Sequence, residues 1–245
     1  MKPIKVLVVD DHAIVRAGLR ALLETGQDIH VVGEAENGQQ AVLQAKRLRP
    51  DVVLLDLAMP VLNGVEAARQ IADEAPSARV LILSTYNDVQ HLQQAVEAGA
   101  AGYLMKEAAG DDLLQAIRAA RDGTVFFSPP VLKNLLKEWK KGPAHGRRDT
   151  ARSATLSRRQ AEVLQLIAEG HCTKQIAGLL SICTKTAEKH RQSLMEKLNL
   201  RKIATLTQYA VSSGVIESGR IPGWHSGRPF RRERPFHLNY SWRTV

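Results

Sequence analysis

Cysteine is nearly absent: the 245-residue chain holds only Cys172 and Cys183, which excludes a disulfide-stapled fold and points to a reducing compartment. Long apolar runs are missing as well. No uninterrupted stretch exceeds six residues, far short of a bilayer-spanning helix. The opening MKPIKVLVVDDH meets Asp10 and Asp11 before a signal-peptide core can form, so a cytoplasmic location is expected. What is present is an ordinary globular composition, 44% apolar and 24% charged, which excludes wholesale disorder. The formal charge of +9 is an average over two unlike halves. Residues 1–124 carry 12 Lys/Arg against 17 Asp/Glu, a net of −5, and residues 125–245 carry 22 against 8, a net of +14. Two domains with different partners follow, the second facing a polyanion.

The first half alternates apolar runs with helical periodicity. Ile4–Val9, His30–Ala35, Val52–Leu55, Val80–Leu83 and Ala101–Leu104 read as five short buried strands, with helix-period stretches between them. That rhythm predicts a parallel sheet covered by helices on both faces. After Gly123 the rhythm changes: Ser128-Pro129-Pro130 signals a helix start, and the polar run from Lys140 to Thr155 reads as a linker. From Leu156 to about Ser218 the pattern is purely helical, with helices predicted over 157–169, 173–180, 184–198 and 203–213.

Sites in open parallel sheets form at the carboxyl ends of the strands. Asp10 and Asp11, Asp56, Ser84 and Lys106 fall at four such ends. Any one Asp alone reads as a helix cap. Three carboxylates at one edge repel unless a cation joins them, and an all-oxygen set suits Mg²⁺. A lysine and a hydroxyl beside such a metal supply charge and hydrogen bonds for a phosphoryl group.

Through VLVVDDH (6–12), DVVLLDLAMPVLNG (51–64), VLILS (80–84) and AGAAGYLMK (98–106), residues 1–122 resemble the receiver domain of two-component response regulators. The resemblance implies a flavodoxin-like α/β fold, a five-stranded parallel sheet in the order 2-1-3-4-5. It implies Asp56 as the phosphoacceptor nucleophile and a Mg²⁺ site made by Asp10, Asp11, Asp56 and the backbone carbonyl of Ala58. Ser84 and Lys106 would bind the phosphoryl oxygens, and Tyr103 would be an aromatic switch turning inward with Ser84. Glu107 stands where many receivers have proline, which leaves the site intact.

Residues 156–200, through RQAEVLQLIAEG (159–170), KQIAGLL (174–180) and KTAEKHRQSLMEKL (185–198), resemble the LuxR-type helix-turn-helix domain of the NarL/FixJ class. The resemblance implies an all-α four-helix domain whose recognition helix begins near Thr184. Lys185, Glu188, Lys189 and Gln192 would present base-reading groups, while Lys174, Lys185, Arg191 and Lys197 suit phosphate. His190 lies at the core-facing edge. Cys172 and Cys183 replace the Ser or Thr common in the family; they read as small buried residues, or alternatively as thiols that sense oxidants. Ser181 replaces a turn glycine, which demands a strained backbone there.

The expected organisation is a receiver over 1–124, a linker helix and flexible linker over 125–155, the helix-turn-helix domain over 156–218, and a basic aromatic tail over 219–245 read as disordered. The expected function is transcriptional control. A histidine kinase phosphorylates Asp56, the helix-turn-helix domain is released and dimerises, and double-stranded DNA is bound, with no membrane partner. In the unphosphorylated chain the receiver is expected to cover residues 184–198. An enzyme hydrolysing phosphate esters at the Asp cluster is disfavoured, because no substrate-cap insertion is present. The other competitor is a phosphorylation-independent DNA-binding regulator with a vestigial receiver, against which the intact Asp10, Asp11, Asp56, Ser84 and Lys106 argue.

Overall fold

The computed structural model describes residues 2–85, 89–107, 110–129, 131–133, 156–200 and 202–216. The stretch 134–155 of the expected linker and the whole tail 219–245 lie outside them. The first unit runs β1 (Ile4–Val9), α1 (Ala13–Leu23), β2 (Ile29–Ala35), α2 (Gly38–Leu48), β3 (Val52–Asp56), α3 (Gly64–Glu74), β4 (Arg79–Ser84), α4 (Val89–Glu97), β5 (Gly102–Met105), α5 (Gly110–Arg121) and β6 (Phe126–Phe127). All strand pairings are parallel, in the order β2-β1-β3-β4-β5-β6. The expected order 2-1-3-4-5 is therefore present, with a sixth strand added at one edge. Two residues carry no readable alternation, which is why Phe126 and Phe127 escaped the sequence pattern.

Alternation along the central strands divides the core in two. Leu7, Val9, Val53, Leu55, Val80 and Ile82 pack on α2, α3 and α4. Val6, Val8, Val52, Leu54, Leu81 and Leu83 pack on α1 and α5. A strand buried on both faces is apolar along its length, as β3 is from Val52 to Leu55, and only its last residue, Asp56, is charged. Register then fixes the strand ends. Val9 pairs with Leu55, and Asp56 with Leu83, so Asp10 and Asp56 emerge side by side one step beyond. Gly64 lets α3 start against this edge: a Cβ there would lie 2.1 Å from the Asp56 carbonyl oxygen.

The second unit contains α6 (Arg158–Ala168), α7 (Thr173–Leu179), α8 (Thr184–Leu198) and α9 (Ile203–Ser212) around their own core, which includes Leu164, Ile176, Ala187, Leu194 and Leu206. A capping box starts α6: Gln160 N–H donates to Ser157 Oγ at 3.3 Å, and Ser157 N–H donates to Gln160 Oε1 at 3.0 Å. Ser181, between α7 and α8, has φ 52°, the strained turn expected where glycine is missing.

The two units meet through a polar face. Arg158, Glu162, Gln165 and Glu169 form one stripe along α6 at helical spacing, and it lies against α3 and the loop before it. Arg158 reaches Glu74 at 3.0 Å and also bonds Gln70, which itself donates to Glu162 at 3.1 Å. Beyond α9, the Ser213 carbonyl accepts from Gln94 of α4 at 2.9 Å, and Gly214 lies against His91. This corrects the expectation that the receiver covers residues 184–198. The first unit is engaged by α6 and the turn after α9, whereas Lys185, Glu188, Lys189 and Gln192 are exposed. The physical reason is that the α6 stripe offers carboxylates, an amide and a guanidinium to matching loop and helix groups.

Candidate functional site

The β1, β3 and β5 ends bring three charged side chains together. Lys106 Nζ lies 2.7 Å from Asp10 Oδ2 and 3.0 Å from Asp56 Oδ1. Asp10 and Asp56 are buried, and Lys106 is largely so. Backbone bonds hold the frame: Lys106 N–H donates to the Ser84 carbonyl at 2.8 Å, and Arg16 donates to the Asp10 carbonyl at 2.8 Å. Burial raises the Asp56 carboxyl to about 6, a rise opposed by Lys106 and reinforced by Asp10 and Asp11. Burial works against the Lys106 charge too, but Asp56 and Asp10 overcome it and hold the ammonium above its ordinary value.

Ser84 and Tyr103 are both buried, so the aromatic ring is already turned inward, packed in the core beside α4. Around Asp10, ligand atoms of Asp10, Asp11 and His12 lie within 4.8 Å of one another. His12 was not anticipated as a member of that cluster. Asp56 stands outside it, joined to Asp10 through Lys106. The donors Asp10, Asp11, Asp56 and the Ala58 carbonyl are all oxygen, which fits a hard divalent cation.

In the second unit, α8 presents Lys185, Glu188, Lys189 and Gln192 on one exposed face. Lys174 is exposed on α7. Three expected contacts are partly engaged elsewhere. Glu188 accepts from Thr173 Oγ1 at 3.1 Å, and Arg191 reaches the same hydroxyl at 3.4 Å, so this pair braces α8 against the start of α7. Lys197 turns toward α6, 3.4 Å from Gln160 Oε1. His190 is half-buried, as its place at the core-facing edge requires.

Cys172 and Cys183 are both exposed, which corrects their reading as buried residues: each sits at a helix N-cap, where the side chain points outward. A hydrogen bond from Thr186 lowers the Cys183 thiol, with help from nearby backbone N–H groups.

Residues 6–118 match the family model of the response regulator receiver domain, and residues 154–210 that of bacterial regulatory proteins of the luxR family. The transcriptional regulatory protein LnrK of Bacillus subtilis (strain 168) is 36% identical over 216 residues, covering 86% of this chain and 98% of LnrK. This chain is a LuxR-type response regulator of the two-component class. The oxygen regulatory protein NreC of Staphylococcus aureus (strain MRSA252) is 35% identical over 218 residues, covering 87% of this response regulator and 99% of NreC. Among solved structures, the RcsB response regulator of Salmonella typhimurium matches with 29% identity and a TM-score of 0.54, covering 86% of this chain and 100% of RcsB. A structure of two RcsB dimers bound to two parallel DNAs matches with a TM-score of 0.53 and 29% identity, over 86% of this chain and 99% of that one. The response regulator thus joins a receiver to a DNA-binding transcriptional head. No helix among its described residues is long and apolar enough to cross a membrane.

The sequence did not single out Gln165 and Glu169, which bond to the loop following Asp56. Their only signal was a polar stripe on an otherwise apolar helix, the usual mark of a solvated face.

Proposed function

We propose that Asp56 accepts a phosphoryl group from the phosphohistidine of a partner kinase in the cytoplasm, and that this modification controls pairing of the DNA-reading heads. The observation carrying this reading is the contact of Lys106 with both Asp56 and Asp10 at the strand ends. A carboxylate is a weak nucleophile, but phosphoryl transfer asks mainly for alignment and charge neutralisation. One Asp56 oxygen forms the bond to phosphorus as the phosphorus–nitrogen bond breaks, and the electron pair returns to the imidazole nitrogen. Lys106 neutralises the incoming oxygens, and the Ser84 hydroxyl hydrogen-bonds one of them, with Tyr103 following Ser84 as the switch. Mg²⁺, held by Asp10, Asp11, Asp56 and the Ala58 carbonyl, supplies further charge neutralisation when bound. The chain acts as a regulator rather than a metabolic enzyme.

For DNA, the boundaries 1–124 and 156–218 separate signal reception from reading, with 125–155 as the connection and the tail 219–245 as an extension. The exposed face of Lys185, Glu188, Lys189 and Gln192 enters the major groove, and Lys174, Arg191 and Lys197 serve the phosphates. The docked head packs on α3 and α4 of its own acidic receiver, so it is held away from a second head. Phosphorylation shifts the balance toward undocked heads, which pair on half-sites about one helical turn apart. The similarity to RcsB, with its DNA-bound dimers, supports this pairing.

Acetyl phosphate with Mg²⁺ tests the acceptor assignment. The wild-type chain is expected to take up an acid-stable, hydroxylamine-labile label that Asp56→Asn abolishes. Undiminished aspartyl labelling of that variant would refute it.

A further inference from the structure

Asp10 and Asp11 are neighbours in sequence, yet their carboxylates converge. Consecutive side chains of a strand point to opposite faces, so two aspartates running on from β1 would ordinarily face apart. Here a carboxylate oxygen of one lies within 4.8 Å of a carboxylate oxygen of the other. The peptide joining them has therefore left strand geometry. Asp10 N–H still donates to the Ala35 carbonyl of β2 at 3.2 Å. The Asp10 carbonyl, which belongs to the joining peptide, accepts from Arg16 Nη1 of α1 at 2.8 Å. Arg16 is fixed in its turn. Its Nε donates to Glu34 Oε2 at 3.3 Å, and Arg20 Nε donates to Glu34 Oε1 at 2.7 Å. Glu34 pairs in register with Val8, so β2 carries it to the same end of the sheet. The Arg20 hydrogen bond, aided by Arg16, holds the Glu34 carboxyl below its ordinary value against the opposing effect of burial. The Arg16 side chain is 17% exposed, deep for a residue type that usually lies in solvent. One planar guanidinium thus spans two points, a β2 carboxylate and the Asp10 carbonyl.

We propose that Arg16, steadied by Glu34, sets the peptide between Asp10 and Asp11 so that both carboxylates face the Mg²⁺ of the Asp56 site. Arg16 is a positioning residue, since it acts through the Asp10 backbone. Charge alone gives the opposite expectation. A guanidinium beside the site repels a cation, so a chain without it would bind Mg²⁺ more tightly if charge were its whole effect. The geometry says otherwise. Without the bond from Arg16 the joining peptide is free to relax toward strand geometry, and the Asp11 carboxylate turns away from that of Asp10. Outer partners that orient the ligands of a metal are worth roughly 10–100-fold in its affinity. Glu34 both anchors the guanidinium and cancels its charge, so the brace adds little repulsion of its own. The inference rests on the reading of Asp56 and its neighbours as a Mg²⁺-dependent acceptor site.

Titration of the full chain with Mg²⁺, followed through the backbone amide resonances of residues 10–12 and 56–58, tests it. Arg16→Met keeps an unbranched stem without the guanidinium and should weaken Mg²⁺ binding about tenfold. Arg16→Lys keeps a donor for the Asp10 carbonyl or for Glu34 but lacks the fork that holds both. It should fall between wild type and Arg16→Met, and it carries the test should the Met variant fail to fold. Adding Glu34→Gln to Arg16→Met should change affinity by less than about twofold, because the two residues act along one chain of contacts. Acetyl phosphate labelling of Asp56 separates alignment from general damage. At saturating Mg²⁺, Arg16→Met should label within about twofold of the wild-type rate, its defect confined to the Mg²⁺ concentration required. A merely structural role would lower the saturated rate as well. Wild-type affinity in both Arg16 variants, or tighter binding in either, overturns the brace alone. A wild-type chain whose residues 10–12 and 56–58 do not respond to Mg²⁺ overturns the metal reading and the brace with it.

Discussion

Asp56 carries a cost at neutral pH that follows from where β3 ends. Its carboxyl rises from 3.8 to about 6 on folding, because burial disfavours the charged form. The folded chain therefore binds more protons than the unfolded chain between about pH 4 and 6, and stability falls as pH rises through that window. Asp56→Asn, lacking this titration, should be more stable than wild type at pH 7 without Mg²⁺, by on the order of 3 kcal/mol. The advantage should shrink below pH 6 and vanish near pH 4. Thermal melts of both proteins across that range check this, and a difference independent of pH would refute it. Ser181 offers a second case. At φ 52° it should welcome glycine, so Ser181→Gly is expected to raise stability by about 1 kcal/mol. Chemical denaturation of the full chain measures it, and a loss of stability would mean the turn tolerates serine. Asp10, Asp11, Asp56, Ser84 and Lys106 were legible because each is a polar residue ending an apolar run. His12 and Gln165 were not, since neither breaks any local pattern.

Elements were legible wherever their period was long enough to read. Helix α8 spans 184–198 as its pattern predicts, and the five main strands differ from expectation by one residue or so at their ends. β6 stayed hidden because a two-residue strand is defined by its neighbour β5 and by nothing in its own sequence. The face of α6 shows a subtler limit. Periodicity assigns a polar stripe to the outside of its own domain, which is correct, yet it cannot say whether water or another domain lies beyond. The start of α3 yields a prediction at this scale. Gly64→Ala places a methyl 2.1 Å from the Asp56 carbonyl oxygen and 2.8 Å from Leu57 Cα, both backbone atoms. Helix and strand must separate, so stability should drop by roughly 1–3 kcal/mol, and acetyl phosphate labelling should slow because the acceptor moves with the strand end. A variant with wild-type melting and labelling would show that the edge yields more easily than its packing implies.

The opposite charges of the two halves act over the whole molecule. A head rich in Lys and Arg should bind DNA with a steep salt dependence, since each neutralised phosphate releases counterions. Within that term, Lys189→Ala should weaken preferred sites more than random duplex, whereas Lys174→Ala should weaken both alike. Binding isotherms at two salt concentrations separate the cases, and equal losses would remove Lys189 from the base-reading face. The polar stripe on α6 also bears on modularity. Receivers and heads are commonly treated as interchangeable parts, to be grafted between regulators so that a familiar input drives a new set of promoters. Here a transplanted head brings its own residues to positions 165 and 169, and with them a different grip on the recipient's acceptor loop. A chimera built by cutting within 134–155 would therefore inherit its signal from one parent and its threshold from the other.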